Sequence, residues 1–249
     1  MGRILIIFLI TFVFGCSGKK ESFPDPQIIV DKSIGASGGD LYRSNDISFT
    51  FREREYRRYR KAGKRVLLRL TETDTARIED LLSGSSFERR IDGEIQNLPD
   101  STRLNLAESV NSVHYFAYLP KGLNDAAVNK TYLGLEKLGD ADYHKVQVTF
   151  DQEGGGTDFE DVFVYWFNTQ TFHPDYLAYE YHTNGGGKRF REAFNARRVG
   201  GIRFVDYRNY KYSGPLPVSE LDSLFVRDEL EFLSLIELEE IKVTQGNYN

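Results

Sequence analysis

Residues 143–210 constrain the fold more than any other part of the chain. They form alternating runs rich in aromatic and β-branched residues, interrupted by glycine triplets at 154–156 and 185–187. A period of two bounded by glycine is typical of antiparallel strands joined by turns. Neither triplet precedes a helical pattern, so neither matches a phosphate-binding loop. The segment therefore predicts four or five consecutive strands of one antiparallel sheet.

The N-terminus carries an apolar run at residues 4–14 behind a single arginine, Arg3. Its length fits a secretory signal and falls short of the roughly 20 apolar residues that span a bilayer. The only cysteine, Cys16, follows this run directly, in a context that resembles a bacterial lipobox. We predict a signal peptide at 1–15, lipid attachment at Cys16, a lipidated tether at 16–27 and a single domain at 28–249. An ordinary secretory signal with an incidental cysteine is the alternative.

The net charge and the predicted lipid anchor limit which partners the protein is expected to bind. The formal net charge is −5, which argues against a nucleic-acid partner because phosphate binding needs a basic surface. A lipid on Cys16 would hold the protein on a membrane of the bacterial cell envelope. Residues 17–21 lack the acidic signal of surface-exported lipoproteins, so we expect the outer membrane, facing the periplasm. We expect a monomer.

Residues 46–73 predict a long hairpin that turns near Ala62 and Gly63. Beyond Phe51 both faces of its first strand are charged, which is typical of a strand that has left the core. This pattern favours a hairpin that extends into water as a solvated arm. The alternative is a basic hairpin, residues 52–69, that touches anionic lipid headgroups or a partner through Arg57, Arg58 and Arg60.

The remaining periodicities predict further elements. In chain order they are a short helix at 28–36, two short strands around 83–84, a helix from near Asp100 to Leu119, a helical turn at 125–130, a hairpin at 132–151, a helix at 218–226 and a last strand at 231–243.

Some strand faces are apolar except for one ionisable group. These groups are His144, Glu160, Glu192 and Asp206. A buried charge needs a partner, so a pairing such as Asp206 with Arg208, or Glu192 with a histidine, explains them structurally. An acid/base site or a polar spot in a ligand cavity is the alternative. The histidines lack metal-ligand spacing, and we expect no metal and no cofactor.

Four motifs, at residues 109–116, 148–156, 189–195 and 201–207, resemble an uncharacterised family of Bacteroidota lipoproteins with no established activity. The order of elements is similar to that of the periplasmic lipoprotein carriers of the LolA-like class. This resemblance implies an α+β fold with a strongly curved antiparallel sheet, an incomplete β-barrel, and helices covering its concave side. It also implies that the concave side holds acyl chains.

The sequence therefore predicts a lipid-anchored envelope protein that binds a lipid or acyl chain without catalysis. The candidate lining residues are Phe116, Phe150, Trp166, Tyr179, Phe190 and Phe204. Three alternatives stay open. These aromatic residues fill a dry core, or the four ionisable groups form an enzyme site, or the protein acts in interactions through the basic hairpin.

Overall fold

The computed structural model describes residues 24–156 and 158–246. The predicted signal peptide and Cys16 lie outside the described residues, as does most of the predicted tether. The end of that tether was wrong, because Pro26 and Gln27 already belong to the first helix. None of the helices in the described part has the length and apolar character needed to cross a bilayer.

Within the described residues, fourteen strands form two antiparallel sheets of seven strands each. They are β1 Asn45–Phe51, β2 Arg54–Lys61, β3 Lys64–Glu72, β4 Arg77–Ser83, β5 Ser86–Ile91, β6 Glu94–Ile95, β7 Val128–Leu138, β8 Ala141–Phe150, β9 Val162–Asn168, β10 Pro174–Tyr181, β11 Gly187–Val199, β12 Ile202–Tyr212, β13 Glu231–Ile236 and β14 Glu239–Gln245. The helices are α1 Pro26–Ser37, α2 Leu41–Ser44, α3 Asp100–Ala117 and α4 Leu221–Val226, with a 3-10 turn at Lys121–Asn124.

Sheet A has the order β14-β1-β2-β3-β4-β5-β6, and sheet B has the order β13-β12-β11-β10-β9-β8-β7. Neither sheet closes on itself. The predicted α+β class with an antiparallel sheet that does not close is confirmed, although one sheet was predicted and the strands divide between two. The four or five consecutive strands predicted from residues 143–210 are the five strands β8 to β12 of sheet B.

The two sheets meet where the chain passes from β13 to β14. Residues 231–243 were predicted as one strand, but β13 is an edge of sheet B and β14 is an edge of sheet A. Between them, the backbone amide of Leu238 donates to a carboxylate oxygen of Asp206 over 2.9 Å. Leu238 therefore binds a side chain of β12 and not a backbone group of either sheet, and the predicted single strand is interrupted between Ile236 and Glu239.

The predicted hairpin arm at 46–73 was wrong in two respects. Arg52 and Glu53 adopt φ values of 50° and 62°, so a second turn divides the first strand into β1 and β2. Because β2 pairs with both β1 and β3, it is an interior strand of sheet A and not a solvated arm, whereas the tip at residues 60–65 is exposed as predicted. The turn also restarts the alternation, which buries Tyr56 and Arg58. The helical turn predicted at 125–130 was wrong as well, since the 3-10 turn ends at Asn124 and β7 begins at Val128.

Sheet B is buried on both faces. Its inner face packs against α1, the 3-10 turn and the end of α3, through a cluster that includes Ile29, Leu123, Tyr165 and Leu177. Its outer face packs against α4, through a cluster that includes Trp166, Phe190, Leu221 and Leu224. Aromatic alternation in these strands therefore serves two hydrophobic layers, which the sequence pattern alone does not separate.

Helix α3 lies between the sheets. Its first half packs on sheet A through Val110, and Ser109 accepts a hydrogen bond of 2.7 Å from Arg69. His114 is buried between Leu68 and Tyr118, and burial lowers the pKa of its imidazole to about 3, so the ring is neutral. The helix continues to Ala117 and brings its C-terminal aromatic residues against sheet B.

Candidate ligand-binding cleft

A cleft of about 740 Å³ separates α3 from the inner face of sheet B. The helix contributes Ser112, Tyr115 and Phe116, and the sheet contributes Phe163 and Tyr179. The β1–β2 and β4–β5 turns border the cleft together with the loop between β8 and β9. The size falls in the range of about 300–1,000 Å³ that is usual for small-molecule sites.

The apolar wall of the cleft is a continuous set of aromatic rings. Phe163 and Tyr179 are neighbours across β9 and β10, and their rings stack with centroids 5.2 Å apart at 15°. Phe116 meets Tyr179 at 5.3 Å, and Phe150 meets Phe163 edge-on at 5.7 Å. Such aromatic pairs are favourable beyond the area they bury. The wall therefore keeps its shape while presenting apolar surface to the cleft.

A hydrogen bond between two tyrosines joins α3 to sheet B at the cleft. The hydroxyl oxygens of Tyr115 on α3 and Tyr165 on β9 are 2.7 Å apart, and each satisfies the other away from water. Burial raises the pKa of both phenols, so they stay protonated. This bond therefore holds α3 against sheet B beside the cleft.

Arg191 is the most unusual polar residue of the cleft. Its residue surface is only 7% exposed, yet among the described residues no carboxylate forms an ion pair with it. The guanidinium donates to the Tyr179 hydroxyl at 2.8 Å and, more weakly, to the Asn209 side-chain oxygen at 3.4 Å. The guanidinium carbon also lies over three aromatic rings, 3.9 Å from the centroid of Phe116, 5.1 Å from that of Tyr179 and 5.9 Å from that of Tyr207. A buried cation held only by neutral groups is costly, and it can donate to an anion entering the cleft.

Arg189 lies two residues before Arg191 on β11, and we call these two arginines the basic strip. It lines the cleft and donates to the Tyr181 hydroxyl at 2.7 Å and to the Lys188 carbonyl at 2.9 Å. In the described chain it also forms no ion pair with a carboxylate. Two guanidinium groups therefore lie on the side of the cleft that β11 forms.

The cleft also has an acidic rim, formed by Glu108, Asp158 and Asp161. Burial raises the pKa of Asp161 to about 6, and the neighbouring Asp158 adds to the rise. Asp161 accepts a hydrogen bond from the backbone amide of His182 at 3.2 Å. Across the described residues, no group of three or more His, Cys, Asp or Glu side chains is arranged to hold a metal ion.

Of the six predicted lining residues, Phe116, Phe150 and Tyr179 line the cleft. Trp166 and Phe190 lie on the opposite face of sheet B, beneath α4. Phe204 packs against sheet A in a cluster with Ile47 and Phe49. The sequence shows which residues share a strand face, but both faces of these strands are apolar, so it does not show which face is open.

The four predicted acid/base candidates do not converge, and none of them lines the cleft. His144 packs on Phe172, and burial lowers the pKa of its imidazole, with Lys32 adding to the effect. Glu160 is exposed in the turn before β9. The described geometry therefore assembles no acid/base site from these residues.

Glu192 and Asp206 are paired to arginines, though not to the predicted partners. Glu192 accepts from Arg208 at 3.1 Å, because the two residues lie directly opposite each other on β11 and β12. Asp206 accepts from Arg197 at 2.9 Å, because a bulge between Phe194 and Arg197 shifts the register. The predicted Asp206–Arg208 and Glu192–histidine pairs were wrong.

The sequence analysis missed the polar residues of the cleft. Arg189 and Arg191 alternate with Phe190 on β11, so one face of that strand is basic and the other apolar. This alternation in the sequence could have predicted that the two arginines lie on the same face of the strand. Asp158 and Asp161 lie in a loop, where no periodicity predicts a direction.

The fold and the cleft define a class of protein with two open antiparallel sheets and an aromatic cleft beneath one helix. The chain belongs to DUF6503, a family of unknown function, whose model matches residues 2–240. The predicted membership of an uncharacterised family is confirmed. Its assignment to Bacteroidota stays a prediction.

Three solved structures are similar to this chain. A LolA superfamily protein from Nitrosomonas europaea is 14% identical, with a TM-score of 0.48 over 89% of this chain and 94% of the other. A DUF1329 family protein from Desulfovibrio piger is 9% identical, with a TM-score of 0.46 over 88% and 93%. The lipoprotein LppX from Mycobacterium tuberculosis is 11% identical, with a TM-score of 0.28 over 78% and 100%. No curated protein matches the sequence.

Proposed function

We propose that the chain is a lipid-anchored protein of the cell envelope that binds a hydrophobic ligand, a lipid or an acyl chain, in the cleft and catalyses no reaction. The observation that carries the proposal is the cleft of about 740 Å³ walled by Phe116, Phe163 and Tyr179. Apolar surface removed from water contributes roughly 25 cal/mol per Å², so an acyl chain lying along this wall is stabilised without any directional contact.

The basic strip gives the ligand a direction. Arg191 and Arg189 are held by tyrosine hydroxyls, and each retains N–H groups that an anionic oxygen can accept from. A carboxylate or phosphate at the polar end of an acyl chain would pair with a guanidinium that otherwise lacks a counter-charge. The ligand class that fits best is therefore an anionic amphiphile, with its polar end at β11 and its chain along the aromatic wall.

Ligand occupancy is tested by filling the cleft from α3. Ser112 lines the cleft, whereas Asn105 is exposed on the same helix and is absent from the lining. We expect Ser112→Trp to weaken binding of a fluorescent long-chain fatty acid by about tenfold or more, because the indole takes up the space of the chain. Asn105→Trp is the matched control and should bind as the unmodified protein does. Equal binding by all three proteins would remove the cleft as the site.

The anchor and the location are proposed from the sequence. Cys16 follows an apolar run of signal-peptide length, which supports lipid attachment at that residue. A protein held on the periplasmic side of the outer membrane has its cleft within reach of membrane lipids. We propose that it acts there as a monomer, with the membrane and the cleft ligand as its partners.

A further inference from the structure

A second cavity lies at the end of the β2–β3 hairpin, and six of its ten lining residues are cations. Its volume is about 690 Å³, and no acidic residue of the described chain contributes to its lining. The basic lining residues come from α2, β2, β3 and the 3-10 turn. They are Arg43, Arg58, Arg60, Lys64, Arg65 and Lys121. We call this set the cationic pocket.

The pairing of β2 with β3 places like charges directly opposite each other. Arg60 faces Arg65, and Lys61 faces Lys64. Like charges at directly opposed positions destabilise an antiparallel pair. Within the described residues, neither Arg43 nor Arg65 forms an ion pair, and the same holds for Lys64 and Lys121. Like charges therefore face each other at the end of this hairpin, and an anion bound in the pocket would offset them.

The interior of the pocket is ordered by protein contacts. Arg58 is 6% exposed, and its guanidinium donates to the carbonyl of Tyr42, which fixes the side chain. Lys121 packs beside it, and burial lowers the pKa of this amine to about 8, with the charges of Arg58 and Arg65 adding to the effect. A held guanidinium loses less conformational freedom on binding than a free side chain does.

The neutral part of the lining also suits an anion. The β4–β5 turn contributes Ser85 and Ser86 beside Gly84, while Ser83 donates its hydroxyl to the Arg65 carbonyl at 3.0 Å. Serine hydroxyls donate to anionic oxygens, and arginine forks match the geometry of phosphate oxygens. Arg57 does not take part, because it points away from the pocket and pairs with Glu55 at 2.5 Å. Four basic side chains of this hairpin therefore line one pocket.

We propose that the cationic pocket binds a phosphate group, as a site separate from the apolar cleft. The two cavities border the same turn, at Gly84 and Ser85, but share none of the cationic side chains. The phosphate belongs either to a soluble phosphate compound or to a lipid headgroup. Both sources offer the same chemistry to the arginines.

The test is binding of inorganic pyrophosphate by the full chain, measured calorimetrically. The variant is the double substitution Arg60→Gln with Arg65→Gln, both at exposed positions of the hairpin. Its matched control is Lys137→Gln with Lys242→Gln, which removes the same charge from exposed positions on β7 and β14. We expect the pocket variant to lose affinity by about tenfold or more and the control to keep it. Thermal unfolding without the anion should show the pocket variant to be no less stable than the unmodified protein.

A second experiment distinguishes a soluble phosphate compound from a lipid headgroup. The excess binding to phosphatidylglycerol vesicles over phosphatidylcholine vesicles is measured for the same proteins, so that any contribution of an anchor cancels. Pyrophosphate binding that depends on Arg60 and Arg65 supports a soluble phosphate compound. An excess on anionic vesicles that depends on them supports a headgroup. The proposal is overturned when neither ligand binds, or when the pocket variant and its control behave alike.

Discussion

Arg191 lies over the ring of Phe116, with its guanidinium carbon 3.9 Å from the ring centroid. The contact spans the cleft, because Arg191 belongs to β11 and Phe116 to α3. An arginine over an aromatic face is stabilised by the ring quadrupole, and more so when the pair is shielded from water. This pair joins the basic strip to the aromatic wall and so defines the polar end of the cleft.

Replacing this arginine should change which ligands bind. We predict that Arg191→Met lowers the affinity for a fatty acid by about tenfold while leaving the affinity for the matching fatty alcohol nearly unchanged. The free energy of unfolding should stay the same or rise, because the substitution removes a buried cation without a counter-charge. Displacement of a fluorescent neutral lipid by the two ligands measures the difference. Arg208→Met, on the outer face of sheet B, is the control. Equal losses for acid and alcohol would show that Arg191 only supports the fold.

The acidic rim should make stability depend on pH. The pKa of Asp161 is raised from 3.8 to about 6. Between these values the folded state keeps a proton that the unfolded chain has released, so the free energy of unfolding falls as pH rises through this window. We predict that Asp161→Asn reduces this slope and raises stability above the window by about 1 kcal/mol, discounted for the solvent at the rim.

Denaturant unfolding across that pH range measures the effect. Asp140→Asn, in the exposed turn between β7 and β8, controls for the loss of a carboxylate. A slope that the Asp161 variant shares with this control would contradict the assignment.

The outer face of sheet B depends on one buried carboxylate. Asp222 on α4 accepts from Lys145 at 2.5 Å and from the indole of Trp166 at 3.1 Å. We predict that Asp222→Ala destabilises the fold by about 3 kcal/mol or more, because it leaves the largely buried amine of Lys145 without this partner. Glu220→Ala, exposed just before α4, should stay within about 0.5 kcal/mol. Urea unfolding of both variants distinguishes a buried ion pair from an exposed carboxylate, and similar losses would rule out this role for Asp222.

The anchor has its own test. We predict that Cys16→Ser moves the protein from the membrane pellet to the soluble fraction, because two or more acyl chains are needed for stable attachment. Mass spectrometry of the N-terminal peptide should show acylation in the unmodified protein and in Ser17→Ala. A Cys16 variant that remains in the pellet would contradict attachment through this residue, and an unmodified protein that is soluble and carries no acyl group would favour an ordinary secretory signal.

Periodicity predicted the elements with one apolar face. Helix α3 was predicted to begin near Asp100, because its apolar stripe changes the period from two to 3.6 and Pro120 ends the pattern. The strands β8 to β12 followed from alternation and glycine turns. These features are local, so the sequence around each of them was sufficient.

Features that depend on distant parts of the chain were missed. The turn at Arg52 and Glu53 places two non-glycine residues at positive φ, which no turn signature in the sequence announced. The open face of sheet B is decided by where α3 and α4 pack, so Trp166 and Tyr179 looked equivalent. The cationic pocket gathers side chains from four elements, and the hairpin pattern alone indicated only that the region was basic.

Native mass spectrometry of the full chain after mild extraction tests whether the cleft holds a hydrophobic ligand. We predict protein carrying an added mass in the range of a lipid or fatty acid, which is lost in organic solvent and reduced in Ser112→Trp but not in Asn105→Trp. Recovery of ligand-free protein alone, with no uptake of added fatty acid, would contradict the claim that the cleft between α3 and sheet B binds a hydrophobic ligand.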